Sequence, residues 1–404
     1  MTLDPSLPVF LHAFWRTGST WLWQRFRNLP DTQCFYEPYH GKLAELSASD
    51  IPSLDPGSWN SGHEAAAPYF LEYGDLIKPA GGIRGYDVRL AVDFFFPNGA
   101  LEDIDLHYLN SLIGLARKRN SMPVLGFCRS LGRVGAMRQA IQGHHIVLLR
   151  EPFGVVSSTI RQSMMGDYLE VAFQKRNSSL LADLGIELPP TEEAMAVPVH
   201  SWGLYRPVTA GRIVLHLYLL GCFSGLLFAD EVIDIDLLSD DPEYRRRTEF
   251  AIGELTKLKP DFSSSDITTN LSAIEPYLFQ ETGITRYLEK RFFSRADDLA
   301  KSLCRLQGAR AINDPEKEMS RLRALFERSL ARTKDTRRKP KILNSPTEAL
   351  DHFEVEFSRI SREVLRLREV AEAQRVELDR MHTSLSWRLT APLRRIAQLR
   401  DRWR

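Results

Sequence analysis

The chain of 404 residues offers little that points to a metal, a nucleic acid or a membrane span. Its histidines, among them His12, His40, His107, His144, His145 and His200, show no metal-ligand spacing, so no metal site is expected. The formal net charge is +1, which gives no electrostatic reason to expect a nucleic-acid partner. The 4 cysteines, Cys34, Cys128, Cys222 and Cys304, are scattered without a Cys-x-x-Cys pair, a usage that fits free thiols in a reducing compartment. Met1-Thr2-Leu3-Asp4 opens without a basic or apolar leader region, so no secretory signal is expected there. The long apolar run from Ile213 to Ala229 covers about 17 residues, the bottom of the spanning range, and holds His216, Gly221, Ser224 and Gly225. A buried helix is the expectation. The triphosphate loop G-x-x-x-x-G-K-[ST] is missing too. The one Gly-Lys pair, Gly41-Lys42, is followed by Leu43, which excludes a magnesium-triphosphate cradle of that type.

What is present is 43% hydrophobic content, enough for one large α/β domain with an appendage. Val9-Phe10-Leu11-His12-Ala13-Phe14 reads as a strand, and a helix is expected from Ser19 towards Arg27. The turn between them, Arg16-Thr17-Gly18-Ser19-Thr20-Trp21, is built to hold an anion. Unpaired N–H groups and the positive end of the helix dipole meet there. Gly18 permits close backbone approach, Thr17, Ser19 and Thr20 add hydroxyls, and Arg16 adds a fixed charge. A second segment, His145 to Leu149, reads as a buried strand that ends in Arg150-Glu151-Pro152 and passes into a helix carrying Ser157 and Ser158. A third is Cys34-Phe35-Tyr36-Glu37-Pro38-Tyr39-His40.

These three islands together resemble the sulfotransferases that use 3′-phosphoadenosine 5′-phosphosulfate (PAPS). Arg16-Thr17-Gly18-Ser19-Thr20 is similar to the R-[ST]-G-[ST]-[ST] loop of the carbohydrate branch. Arg150 and Ser158 match R-[DEN]-P-x5-S, and Tyr36-Glu37-Pro38 resembles that branch's F-E-P element. The resemblance implies an α/β fold, a P-loop-like parallel sheet flanked by helices, over roughly the first 290 residues. It implies that Arg16, Thr17, Gly18, Ser19, Thr20 and Trp21 hold the 5′-phosphosulfate, that Arg150 and Ser158 hold the 3′-phosphate, and that no metal is needed. A guanidinium paired with a hydroxyl is a sound grip for a phosphate. It further implies Glu37 as general base for an acceptor hydroxyl, with His40 in reserve, and Arg16 as the charge that stabilises the leaving phosphate. Arginine where the soluble phenol and steroid enzymes carry lysine favours charge stabilisation over proton donation. It also favours a sugar acceptor.

Plainer readings stand beside these. Arg150 could be a surface ion-pairing arginine, Ser158 a helix-face hydroxyl interchangeable with Ser157, and Glu37 a strand end. The Trp21 and Trp23 rings read first as packing residues. Further along, Pro123 to Cys128 is a strand candidate leading to Arg129, Ser130 and Arg133, which can face the cleft of a parallel sheet or serve the structure. Pro52 to Gly85 reads as irregular loop over the acceptor side, with Arg84, Tyr86 and Asp87 in reach of a sugar. Val232 to Leu238 reads as a strand, and Asp240-Asp241-Pro242 opens a charged helix. Asp236-Leu237 stands in for the E-D-L step of the sulfotransferases.

Domain bounds are expected at 1–300 for the catalytic domain, 301–346 for a helical and basic linker, and 347–404 for a coiled coil with a basic amphipathic tail. Phe353, Phe357, Ile360, Val364, Leu367, Ala371, Gln374, Leu378, Met381 and Leu385 alternate at four and three residues, the seam of a left-handed coiled coil. A homodimer through that seam is the leading expectation, with a helix folded back on the domain as the alternative. Ser384-Leu385-Ser386-Trp387-Arg388-Leu389-Thr390-Ala391-Pro392-Leu393-Arg394 resembles the tails of bacterial enzymes of surface-polysaccharide assembly. Its apolar face, with 6 arginines from Arg388 to Arg404, suits either an anionic membrane surface or a protein partner. The expectation is therefore a cytoplasmic, bacterial sulfotransferase, peripheral at the inner membrane face where the tail binds it, acting on a carbohydrate or lipid-linked glycan. Two other classes remain: a glycosyltransferase, from the tail and the lone Asp234-Ile235-Asp236, and an inactive scaffold acting through its coiled coil.

Overall fold

The computed structural model describes residues 7–54, 68–95, 100–161, 181–182, 184–185, 207–263 and 283–336. Five strands form one parallel sheet: β1 (Val9–His12), β2 (Thr32–Tyr36), β3 (Met122–Phe127), β4 (His144–Leu149) and β5 (Glu231–Asp234). Their spatial order is β2-β3-β1-β4-β5, with Val9 opposite Val124 on one side and His144 on the other. The helices that flank it are α1 (Ser19–Arg27), α2 (Asp103–Lys118), α3 (Val134–Ala140), α4 (Pro152–Arg161), α5 (Pro207–Phe228), α6 (Ile235–Asp240), α7 (Pro242–Thr256), α8 (Ala296–Leu306) and α9 (Pro315–Thr336). The chain is thus an α/β protein with helices over a parallel sheet.

Strand side chains alternate between two apolar layers. Along β4, Val147 and Leu149 join the cluster built on α5, α8 and α9, whereas Ile146 and Leu148 join the one holding Trp23, Phe26, Leu109 and Leu112. Burial on both faces is why these strands read as continuous apolar runs. Helix α5 contains the 213–229 run and is buried as expected; Leu215, Leu217, Leu219, Leu220 and Phe223 are all fully inside. No described helix is long and apolar enough to cross a membrane.

The strand order also fixes where a ligand cleft opens. From β1 the chain leaves through α1 to the β2 edge, and from β4 it leaves towards the β5 edge. The carboxyl ends of neighbouring β1 and β4 therefore send their connections in opposite directions, the point where open parallel sheets bind ligands.

Two elements differ from the sequence reading. The Val232–Leu238 strand stops at Asp234, whose side chain accepts from the backbone N–H of Asp236 and Leu237 and so starts α6. The stretch expected as linker from 301 is structural up to Thr336. Met319, Leu322, Leu325 and Phe326 of α9 are buried in the α5 cluster, and the compact unit runs to Lys339. The coiled coil, the self-association through it and the basic tail lie in 340–404, outside the described residues.

Candidate functional site

The loop after β1 folds on itself before it reaches α1. Thr17 donates its hydroxyl to Phe14 O at 2.6 Å, which ends the strand two residues earlier than its apolar run. Arg16 takes φ 63° and Gly18 φ 89°, both in the left-handed region. Only glycine adopts that comfortably. Gly18 also lies against α6, where a Cβ would stand 2.2 Å from Ile235 Cδ1. As N-cap of α1 it offers no side chain to the first-turn N–H groups, an arrangement that suits an anion. The hydroxyls divide. Thr17 serves the loop, Thr20 pairs with Tyr36 Oη at 2.9 Å, and half-buried Ser19 makes no side-chain hydrogen bond among the described residues. Trp21 is buried against Phe262, with Arg25 over its ring, and Trp23 donates to Cys34 O; both are packing residues here.

Arg150 closes β4 beside that loop. The Tyr218 hydroxyl of α5 grips its backbone twice, accepting from Arg150 N at 2.9 Å and donating to Arg150 O at 2.6 Å. The Arg150 guanidinium donates through Nη1 to Arg16 O at 2.7 Å. Its Nε is buried without a hydrogen-bond partner among the described residues. Arg16 in turn donates from Nε to Ser158 Oγ at 2.9 Å, across 142 positions of sequence. Burial lowers the Arg150 pKa, Asp236 and Glu151 oppose that, and Arg16 adds to it. Two guanidiniums, a hydroxyl and the start of α1 are thus brought together at the carboxyl ends of β1 and β4.

Glu37 stands past the end of β2, with φ 41° and its N–H on Gly126 O at 2.7 Å. Its carboxylate is ion-paired with Arg129, which lies over the Trp15 ring at 5.1 Å. Burial alone would raise the Glu37 carboxyl, but Arg129 and then His40 hold it below its ordinary value. His40 is pushed down to about 4, mainly by burial, so it is neutral near pH 7. Its Nδ1 accepts from Lys42 N at 3.0 Å, which assigns the proton to Nε2 and leaves no free basic nitrogen. Glu37 is the better base of the two. Of the other strand-end candidates, Ser130 bonds His12 at 2.8 Å and fully buried Arg133 donates to Leu90 O at 3.0 Å. Arg129 alone of the three pairs with Glu37.

No protein-family model, curated protein or solved structure matches the chain. The geometry therefore carries the reading by itself. Asp234 and Asp236, the lone D-x-D, are engaged otherwise: Asp234 caps α6 and pairs with Arg328, and Asp236 accepts from Glu151 N at 2.6 Å. No group of metal-ligating side chains occurs among the described residues.

Sequence reasoning missed Tyr218, Glu151 and the arginines of α9. Tyr218 sits inside an apolar helix with no local motif, and its role depends on tertiary contact. Glu151 was legible only as part of Arg-Glu-Pro. Buried beside Asp236, it is pushed up to about 7, with Arg332 and Arg150 pulling the other way.

Proposed function

We propose that the chain is a PAPS-dependent sulfotransferase that moves the sulfuryl group to a hydroxyl of a carbohydrate or glycolipid acceptor. The observation that carries this reading is the convergence of Arg16, Arg150 and Ser158 at the β1/β4 cleft. Motif spacing had singled out all three for one nucleotide. The residues fit such a donor in two further respects: the buried Arg150 Nε has no hydrogen-bond partner among the described residues, and Gly18 offers no capping side chain to the start of α1. The P-loop-like sulfotransferase fold inferred from the motifs agrees with the parallel sheet and its strand order.

In this scheme the N–H groups at Ser19 and Thr20, with Arg16, hold the 5′-phosphosulfate, and Arg150 with Ser158 holds the 3′-phosphate. The acceptor oxygen bonds to sulfur as the sulfur–oxygen bond to the 5′-phosphate breaks, leaving 3′,5′-adenosine diphosphate. Glu37 takes the hydroxyl proton, which becomes acidic as the new bond forms. Its low pKa keeps it ionised at neutral pH, and Arg129 must loosen its hold for the carboxylate to accept the proton. Arg16 meets the charge that builds on the leaving oxygen. The acceptor class and the inner-membrane location rest on the arginine at position 16 and on the tail's resemblance.

Calorimetric titration of the full chain with 3′,5′-adenosine diphosphate tests the reading. Binding is expected, and Arg150→Ala should weaken it by about 10²-fold, the scale of a buried charge-assisted hydrogen-bond pair. A folded wild-type chain that binds no nucleotide would sink the proposal.

A further inference from the structure

Two carboxylates, Glu151 and Asp236, lie beside the Arg150 guanidinium. Glu151 and Asp236 are buried side by side, joined by the Glu151 N–H to Asp236 Oδ2. Both oxygens of Glu151 and Asp236 Oδ1 are buried with no hydrogen-bond partner among the described residues. Both carboxylates lie close to Arg150. A Cβ built on Gly154 would stand 3.2 Å from Glu151 Oε1 and 3.5 Å from Arg150 Nε, so the carboxylate and the free guanidinium nitrogen border one point. An ionised Glu151 that turned towards Arg150 would compete with any bound phosphate.

What opposes that turn comes from α9, the helix that sequence reading assigned to a linker. Arg332 Nη1 lies 3.5 Å from Glu151 Oε2 and 3.6 Å from Asp236 Oδ1, while its Nη2 pairs with Asp240. Arg328, one turn earlier, is engaged by Asp234. Ser329 anchors the same stretch, accepting from Phe153 N at 3.1 Å in the first turn of α4. We propose that Arg332 is a positioning residue of the anion site, holding Glu151 and Asp236 away from Arg150 so that the Arg150 charge serves the ligand. This rests on the reading of Arg150 as a phosphate grip.

The groups facing Glu151 are Arg150, Asp236 and Arg332, with Asp240 paired to Arg332 and Asp234 acting on Asp236. Loss of Arg332 therefore leaves Arg150 as the remaining cation for Glu151. The competition should grow as Glu151 ionises and vanish when the side chain cannot ionise.

The experiment is titration of 3′,5′-adenosine diphosphate into the full-length wild type, Arg332→Met, Arg332→Lys, Glu151→Gln and the Arg332→Met/Glu151→Gln double variant. Thermal shifts with inorganic phosphate run alongside. At about pH 8.5, Arg332→Met should weaken the nucleotide roughly tenfold, with Arg332→Lys near wild type and the double variant restored, as a coupled pair requires. At about pH 6 the deficit relative to wild type should shrink as Glu151 takes up its proton. An Arg332→Met chain that binds like wild type, or a loss that Glu151→Gln does not restore, would overturn the role of Arg332 while leaving the nucleotide site intact. If the wild type ignores the nucleotide but phosphate stabilises it with the same pattern across variants, the sulfotransferase reading falls and the positioning role stands. Indifference of the wild type to both ligands overturns both.

Discussion

A side chain at position 18 would meet two separate penalties. The first is conformational: φ 89° lies where an L-residue pays roughly 1 kcal/mol or more. The second is the 2.2 Å approach to Ile235 Cδ1, the far end of a side chain that can rotate, so the contact can relax while the backbone cannot. Gly18→Ala is expected to lower stability by about 1–2 kcal/mol and to abolish detectable anion binding. Adding Ile235→Val removes the clashing methyl and should recover only the contact share. Urea unfolding of the wild type, Gly18→Ala and the double variant checks this, and full recovery in the double variant would show that the left-handed backbone is not required. The same residue scale explains what was legible in sequence. Arg16, Gly18, Arg150 and Ser158 could be picked out because their chemistry is local: a glycine in a turn, an arginine at a strand end. Tyr218 and Arg332 act on Arg150 from positions 68 and 182 residues away, the first through its hydroxyl and the second through Glu151. No local pattern marks them.

Among the elements, those whose ends are set by backbone chemistry came through best. Helix α1 spans Ser19–Arg27, as the glycine before it and the arginines at its end imply. Strand β5 was read too long because Ile235, Leu237 and Leu238 continue its apolar pattern, but the Asp234 cap turns them into a helix. Helix α9 lies in the stretch expected to be a helical, basic linker. Its many charges resemble a linker, yet Met319, Leu322, Phe326 and Ser329 recur at three and four residues and all are buried. Phe326 is the test of that face: its ring lies 5.5 Å from Phe153 at the start of α4 and 5.6 Å from Phe293. Phe326→Ala should cost about 3–5 kcal/mol, the range for a buried aromatic, whereas an α9 that merely lay on the surface would lose less than about 1 kcal/mol. Denaturant midpoints separate the two.

Across the whole molecule, the order β2-β3-β1-β4-β5 brings residues near positions 16, 37, 129 and 150 to one edge of the sheet. Sequence could assign strands but not their order, because neighbouring strands in a parallel sheet are joined through distant crossovers. Enclosing those strands has an electrostatic consequence that no single element shows. His12, His40, His145 and His216 are all pushed below their ordinary value, chiefly by burial, with His40 at about 4 and His145 and His216 at about 3. In the unfolded chain each takes a proton near pH 6.5, so unfolding below that pH binds protons that the folded state refuses. Stability from these groups is complete above about pH 6.5 and is lost as pH falls, by up to about 1.4 kcal/mol per pH unit for each histidine. Glu151, raised to about 7, works the other way: the folded state holds its proton where the unfolded state does not. Glu72, Asp105, Asp236 and Glu318 are raised as well, in the same sense as Glu151 but by less. Four histidines against chiefly one carboxyl give a net uptake of protons on unfolding between about pH 6.5 and 5. Urea unfolding across that range should show stability falling towards acid, and His216→Gln should flatten the slope by close to one proton whatever its effect on the absolute value. A flat or rising profile would mean that the buried carboxylates outweigh the histidines, and would overturn the assignment of these imidazoles as neutral in the fold.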